Sequence, residues 1–129
     1  AGHEKYRSLG RMFFHGADAG VLVIDQSQEF DPKIAEEWIQ QFKEVTEKDA
    51  FIIIAANKTD LVSHHNRDIF EWASQQNVQI IPTSAKTGEG IPELFKFIAL
   101  VLQNKRVVQT EAVHHKMELN TCTNTRKCC

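Results

Sequence analysis

No apolar run in this chain approaches the roughly 20 residues that a membrane-crossing helix needs, and no stretch reads as a secretory signal. Neither sign of charge dominates. The formal net charge is −2 with a pI near 6.3, and no lysine or arginine stripe interleaves with aromatic residues, so composition gives no reason to expect nucleic acid as a partner. Cysteine is scarce and oddly placed. All three, Cys122, Cys128 and Cys129, fall in the last eight residues, which argues against a disulfide framework and for a reducing compartment. Internal repeats are lacking as well. What remains is 129 residues with 42% hydrophobic and 25% charged side chains, enough for one globular domain and too apolar for disorder throughout.

Three short apolar runs, Val21 to Ile24, Phe51 to Ala56 and Val78 to Ile81, lack the alternation of a half-wet strand and read as parallel strands covered on both faces. Helical patterns lie between them. Asp31 caps a helix with Pro32 at its first position, and Ile34, Ala35, Trp38, Phe42 and Val45 recur on one face toward an end near Lys48. Asn66 caps the next, with Ile69, Phe70 and Ala73 inward. Pro92 opens the last, where Ile91, Leu94, Phe95, Ile98, Val101 and Leu102 form a wide apolar stripe. The order is strand, helix, strand, helix, strand, helix with right-handed crossovers, an α/β class. From Lys105 the apolar periodicity stops, so residues 1–104 read as the domain and 105–129 as a flexible tail with three excess positive charges, five minus two. That excess favours an anionic membrane surface weakly.

Two polar turns carry the chemistry. Asn57-Lys58-Thr59-Asp60 closes the second apolar run, and Thr83-Ser84-Ala85-Lys86 closes the third. Open α/β sheets bind ligands at the carboxyl ends of their strands, where both turns sit. A guanine edge offers two donors, its ring N–H and its exocyclic amine, and one carboxylate accepts both in a charge-assisted pair that adenine cannot form. Asp60 supplies that carboxylate. Asn57 has an acceptor and a donor for the opposite edge of the base or for tying the neighbouring loop, and the Lys58 stem can lie over the purine while its ammonium stays wet. Ser84 and Ala85 place turn N–H groups near the guanine carbonyl, and Lys86 can cover the other face.

With these motifs the chain resembles the small GTPases, and among them the Rab family. Asn57-Lys58-x-Asp60 and Ser84-Ala85-Lys86 match that family's two base-recognition motifs. Ala1-Gly2-His3-Glu4 looks like the end of its Asp-x-Ala-Gly-Gln-Glu motif, Lys5 to Leu9 like its second switch segment, and Cys128-Cys129 like its double-cysteine terminus. No Gly-x-x-x-x-Gly-Lys-Ser/Thr sequence occurs, so the loop that cradles phosphates is missing, as is the first switch. The chain therefore reads as an N-terminally truncated member, the C-terminal half of a P-loop small-GTPase fold with parallel strands and helices on both faces. Removing the phosphate-loop strand would leave Val21 to Ile24 as an open apolar edge.

The resemblance implies a guanine-nucleotide-dependent switch in vesicle and membrane trafficking, binding and hydrolysing GTP, with Mg²⁺ only in a complete parent. Asn57 and Asp60 would select guanine, Lys58 and Lys86 would sandwich it, and Ser84 and Ala85 would serve its carbonyl. Gly2 would meet the third phosphate. His3 stands where the family has the glutamine that orients the attacking water, which implies slow hydrolysis. Tyr6, Arg7 and Leu9 would lie on the effector surface. The implied partners are effectors, an exchange factor, a GTPase-activating protein and the prenylation machinery, at the cytoplasmic face of intracellular membranes. For Cys128-Cys129, zinc lacks further ligands and a vicinal disulfide is strained, which leaves lipid. The resemblance implies geranylgeranyl groups on both, giving firm anchoring. No metal site is expected at His64-His65 or His114-His115, because adjacent side chains diverge. Phe14 reads as core, and Trp38 and Trp72 as packing or surface aromatics. The alternative is a non-catalytic module that competes for Rab effectors or prenylation machinery.

Overall fold

A computed structural model describes residues 12–46 and 50–106. It has the α/β architecture expected from the sequence. Strands β1 (Ala19–Asp25), β2 (Phe51–Asn57) and β3 (Gln79–Pro82) form a parallel sheet in the order β1-β2-β3. Helices α1 (Pro32–Val45) and α2 (Arg67–Gln75) make the crossovers, and residues 91–96 form a further helical segment, α3. The chain divides into two compact units, residues 1–96 and 97–129. The sheet, α1 and α2 belong to the first, and the described part of the second is the helical segment 97–106.

The sheet is parallel because its central strand is apolar on both sides. Ile53, Ile54, Ala55 and Ala56 are all buried. Around Ile54 gather Ala35 and Ile39 of α1 and Trp72 and Ala73 of α2, with Leu22, Ile24, Ile52 and Ile80 of the strands packed against them. Burying a side chain such as Ile39 or Ile54 contributes about 1.5–3 kcal/mol each, so this cluster holds α1 and α2 to the sheet. Phe30 and Trp72 meet with ring centroids 5.2 Å apart, and the Trp72 indole N–H donates to Glu36 at 3.3 Å.

Local chemistry fixes the helix ends. The Asp31 carboxylate accepts from the Lys33 N–H at 2.9 Å, with Pro32 in the first turn. Asn66 caps α2 in the same way, through the Asp68 N–H. At the other end of α2, Asn77 takes a left-handed conformation at φ 54°. Its N–H then reaches the Ser74 carbonyl and the Val78 N–H reaches Ala73, a Schellman closure. That bond draws Val78 into the helix terminus, so β3 begins one residue later than its apolar run. Helix α1 stops at Val45, short of Lys48, because Thr46 turns extended at φ −91° and ψ 163°, its N–H closing the last helical bond to the Phe42 carbonyl and its hydroxyl sharing that acceptor.

Each expected apolar stripe is buried or half-buried except at one position. In α1 the buried residues are Ala35, Ile39 and Phe42, while Ile34 is 49% exposed. In α3 Leu94 is buried but Phe95 is 63% exposed. Phe14 packs as expected, edge-on to Phe42 at 5.5 Å, whereas Met12 and Phe13 are exposed. Gly20 is required there, because a Cβ would stand 2.9 Å from the Phe42 ring.

Among the described residues β1 pairs only with β2, and it lies at the sheet edge. Val21 and Val23 alternate with the core-facing Leu22 and Ile24 and are exposed. Long, flat, apolar edges of this kind invite further strand pairing.

Candidate functional site

The two polar turns sit side by side because β2 and β3 are neighbours in register, with Ala56 opposite Pro82. Backbone bonds continue the ladder past the strands. The Thr83 N–H donates to Ala56 at 2.8 Å, and the Thr59 N–H donates back to Thr83 at 3.1 Å. Gly90 follows the second turn at φ 71°, and a Cβ there would fall 2.0 Å from the Pro82 carbonyl oxygen, so only glycine lets the chain pass this close.

Asn57 joins the turns. Its side-chain oxygen accepts from the Ala85 N–H at 3.0 Å and from the Thr83 hydroxyl at 3.4 Å. Of the two roles open to Asn57 from sequence, this one is the tie to the neighbouring loop. Ser84 is fully buried. Its hydroxyl donates to Asp60 Oδ1 at 2.5 Å and accepts from the Thr87 N–H, so the carboxylate is aimed by the second turn. The Asp60 side chain is only 14% exposed, and Lys86 Nζ stands 3.9 Å from its Oδ2. A carboxylate has about four lone-pair positions, so one hydroxyl and one distant ammonium leave room for two further donors.

Neither turn N–H is idle. That of Ser84 donates to the Glu89 carbonyl at 2.9 Å, and that of Ala85 to Asn57. A purine carbonyl at this site would have to share the Ala85 donor.

Lys58 has φ 69° and ψ 39°, a left-handed conformation that lysine rarely adopts and that is of the kind found at functional turns. Its ammonium lies 2.6 Å from Asp25 Oδ2. Partial burial pushes the Asp25 carboxyl up, but its bonds to Lys58 and Ser27 outweigh this and hold it below the ordinary value of 3.8.

Three contributors were not visible in the motifs. Besides Asp25, Glu89 accepts from the Thr59 hydroxyl at 3.0 Å and latches the first turn to the second. Gln26 is buried at the end of β1, donates to the Ala56 carbonyl at 2.6 Å and meets His65 Nδ1 at 3.2 Å. Thus His65 is engaged by protein, with its ring 5.3 Å from that of Phe70. The one signal in the sequence was position, since Asp25 and Gln26 follow an apolar strand as Asn57 does. Gly2, His3, Tyr6, Arg7, Leu9, Cys122, Cys128 and Cys129 lie outside the described residues, as do His114 and His115.

A Ras family model matches residues 1–116. Among curated relatives, the GTP-binding protein ypt5 of Schizosaccharomyces pombe is 32% identical over 126 residues, covering 93% of this chain and 60% of the relative. The Ras-related protein RABF2b of Arabidopsis thaliana is 32% identical over 86% of this chain and 56% of its own length. For the Ras-related protein Rab-5B of Plasmodium falciparum the figures are 32%, 76% and 48%. The chain belongs to the Ras family, in its Rab branch, and spans about half the length of the curated relatives it matches.

Proposed function

We propose that this chain carries the guanine-recognition part of a Rab-type switch that binds and hydrolyses GTP in vesicle and membrane trafficking. The observation that carries the reading is the Asp60 carboxylate, shielded, aimed by the buried Ser84 hydroxyl, and set beside Asn57 at the carboxyl end of a parallel strand. Asp60 accepts the ring N–H and exocyclic amine of guanine, and Asn57 holds Ala85 where its N–H is shared with the base carbonyl. The Lys58 and Lys86 stems cover the two faces. Names of the relatives support the same reading, since one is a GTP-binding protein and the others are Ras-related.

The described residues carry the groups this reading assigns to the base. No phosphate-loop sequence is present in this chain, and among the described residues no group of three or more His, Cys, Asp and Glu is placed to hold a cation. In the proposed switch Gly2 meets the third phosphate and His3 stands in place of the water-positioning glutamine. His3 slows the intrinsic rate, because an imidazole cannot hold water and phosphate in the fork of an amide. Tyr6, Arg7 and Leu9 present the effector surface, subject to an exchange factor and a GTPase-activating protein. Prenylation of Cys128 and Cys129 places the protein on the cytoplasmic face of intracellular membranes, from which it cycles to the cytosol.

The test is a change of base. Xanthine carries a carbonyl where guanine carries its amine, so Asp60→Asn should lose guanosine and gain xanthosine. Nucleoside titrations of the 129-residue chain followed by NMR read this directly. Losing one charge-assisted bidentate contact costs at least about 2 kcal/mol, a factor of roughly 30. Unchanged guanosine affinity in the variant removes Asp60 from the site.

A further inference from the structure

Asp25 lies in neither recognition turn, yet it closes β1 as Asn57 closes β2, and the two are register partners. Its Oδ1 accepts from both the N–H and the hydroxyl of Ser27, at 2.9 and 2.7 Å, which fixes the carboxylate in an Asx turn. The other oxygen, Oδ2, receives the Lys58 ammonium. Lys58 is therefore held at both ends, its backbone by the left-handed turn and its tip by Asp25, and the methylene stem is strung from the end of β2 to the end of β1.

This differs from an ordinary surface ion pair. Arg67 and Glu71, one helical turn apart, have side chains 86% and 53% exposed and link nothing beyond their own helix. Asp25 and Lys58 are 28% and 46% exposed, and they join two strand ends at the mouth of the base site.

We propose that Asp25 is a positioning residue for base binding: by anchoring the Lys58 ammonium at the end of β1, it lays the lysine stem in advance as a fixed wall against one face of the purine whose edge Asp60 takes. The inference rests on the guanine reading above. A purine meeting a wall already ordered immobilises fewer rotamers on binding, which raises affinity without any new contact to the base. Such a wall is indifferent to the substituents of the ring. Asp60, by contrast, senses the exocyclic amine that distinguishes guanosine from inosine.

The two roles separate in a titration of guanosine and inosine into the isotope-labelled 129-residue chain and its Asp25→Ala and Asp25→Asn variants. In the parent, guanosine should move the Lys58 methylene resonances upfield through its ring current. Asp25→Ala should weaken guanosine and inosine by the same factor, about three- to tenfold for one long side chain left unordered, with their ratio unchanged and the Lys58 shift reduced. Asp25→Asn keeps an oxygen for the ammonium and should recover part of the loss. Urea titrations of the same proteins give the unfolded fraction. Equal guanosine affinity in the parent and Asp25→Ala overturns the positioning role and leaves the guanine reading standing. Losses in proportion to unfolded protein, with the Lys58 shift intact, make the pair a structural link and also overturn it. No guanosine binding by the parent chain overturns both.

Discussion

Replacing Asn57 by alanine removes the acceptor through which one recognition turn holds the other. Two donors lose their partner. The Ala85 N–H belongs to an exposed residue and finds water, so its bond is worth only about 0.5–1 kcal/mol net. The Thr83 hydroxyl is different, because Thr83 is 1% exposed. Its bond is long at 3.4 Å, but the donor left behind is shielded from water, and such a group costs about 1–2 kcal/mol. The sum is about 2 kcal/mol. Asn57→Asp keeps the oxygen and should stay within about 0.5 kcal/mol of the parent. Trp72 is a suitable reporter, since it is buried against Phe30 in the core and its fluorescence follows loss of the sheet. With a urea slope of about 1–2 kcal/mol per molar, the alanine variant should unfold at a midpoint roughly 1–2 M lower. The Ala85 amide should also exchange at least tenfold faster, while amides in the middle of β2 change only with global stability. Two results refute the reasoning: an alanine variant within 0.5 kcal/mol of the parent on the scale of about 2 used above, or an aspartate variant as unstable as the alanine one.

Gly90→Ala should destabilise by about 3 kcal/mol or more, because the new methyl meets the Pro82 carbonyl oxygen and the residue keeps a positive φ; thermal unfolding followed by circular dichroism measures it, and a loss under 1 kcal/mol on that rough scale contradicts the close approach. The tail proposal predicts that replacing Cys128 and Cys129 together by serine moves the protein from membranes to cytosol, with single replacements retaining partial binding, since one lipid chain anchors only reversibly. Fractionation of expressing cells reads this out, and a double variant as membrane-bound as the parent refutes it.

The strands and caps were legible because each rests on a local rule. Apolar runs without alternation marked all three strands to within a residue or two, and Asp31, Pro32 and Asn66 marked two helix starts. What periodicity missed depends on neighbours. Ile34 and Phe95 fall on apolar stripes, but whether a stripe position is covered is decided by what packs there, and in α1 Ile39, outside the expected set, is buried while Ile34 is exposed. The end of α1 was set by Thr46, whose hydroxyl competes for a helix carbonyl, a choice no window of hydrophobicity registers. At the site, Asn57, Asp60 and Ser84 were legible as motif members because their chemistry is carried by residue type and spacing. Asp25 and Glu89 were not. Their partners, Lys58 and Thr59, are remote in sequence, and only the register of the sheet brings them together.

Among the described residues the strand order of the sheet is also its sequence order. β2 can settle on β1 as soon as both exist, and β3 then adds at the far side without any strand being inserted between earlier ones. Asp60 acquires its Ser84 partner only when β3 arrives, bringing together residues 24 positions apart. The Asp60–Ser84 contact therefore waits on the pairing of β2 with β3, and closing that loop costs entropy that a bound base would help repay. A chain halted after β2 has the carboxylate but nothing to aim it. If Asp60 selects guanine as proposed, a bound base would also hold the third strand in place.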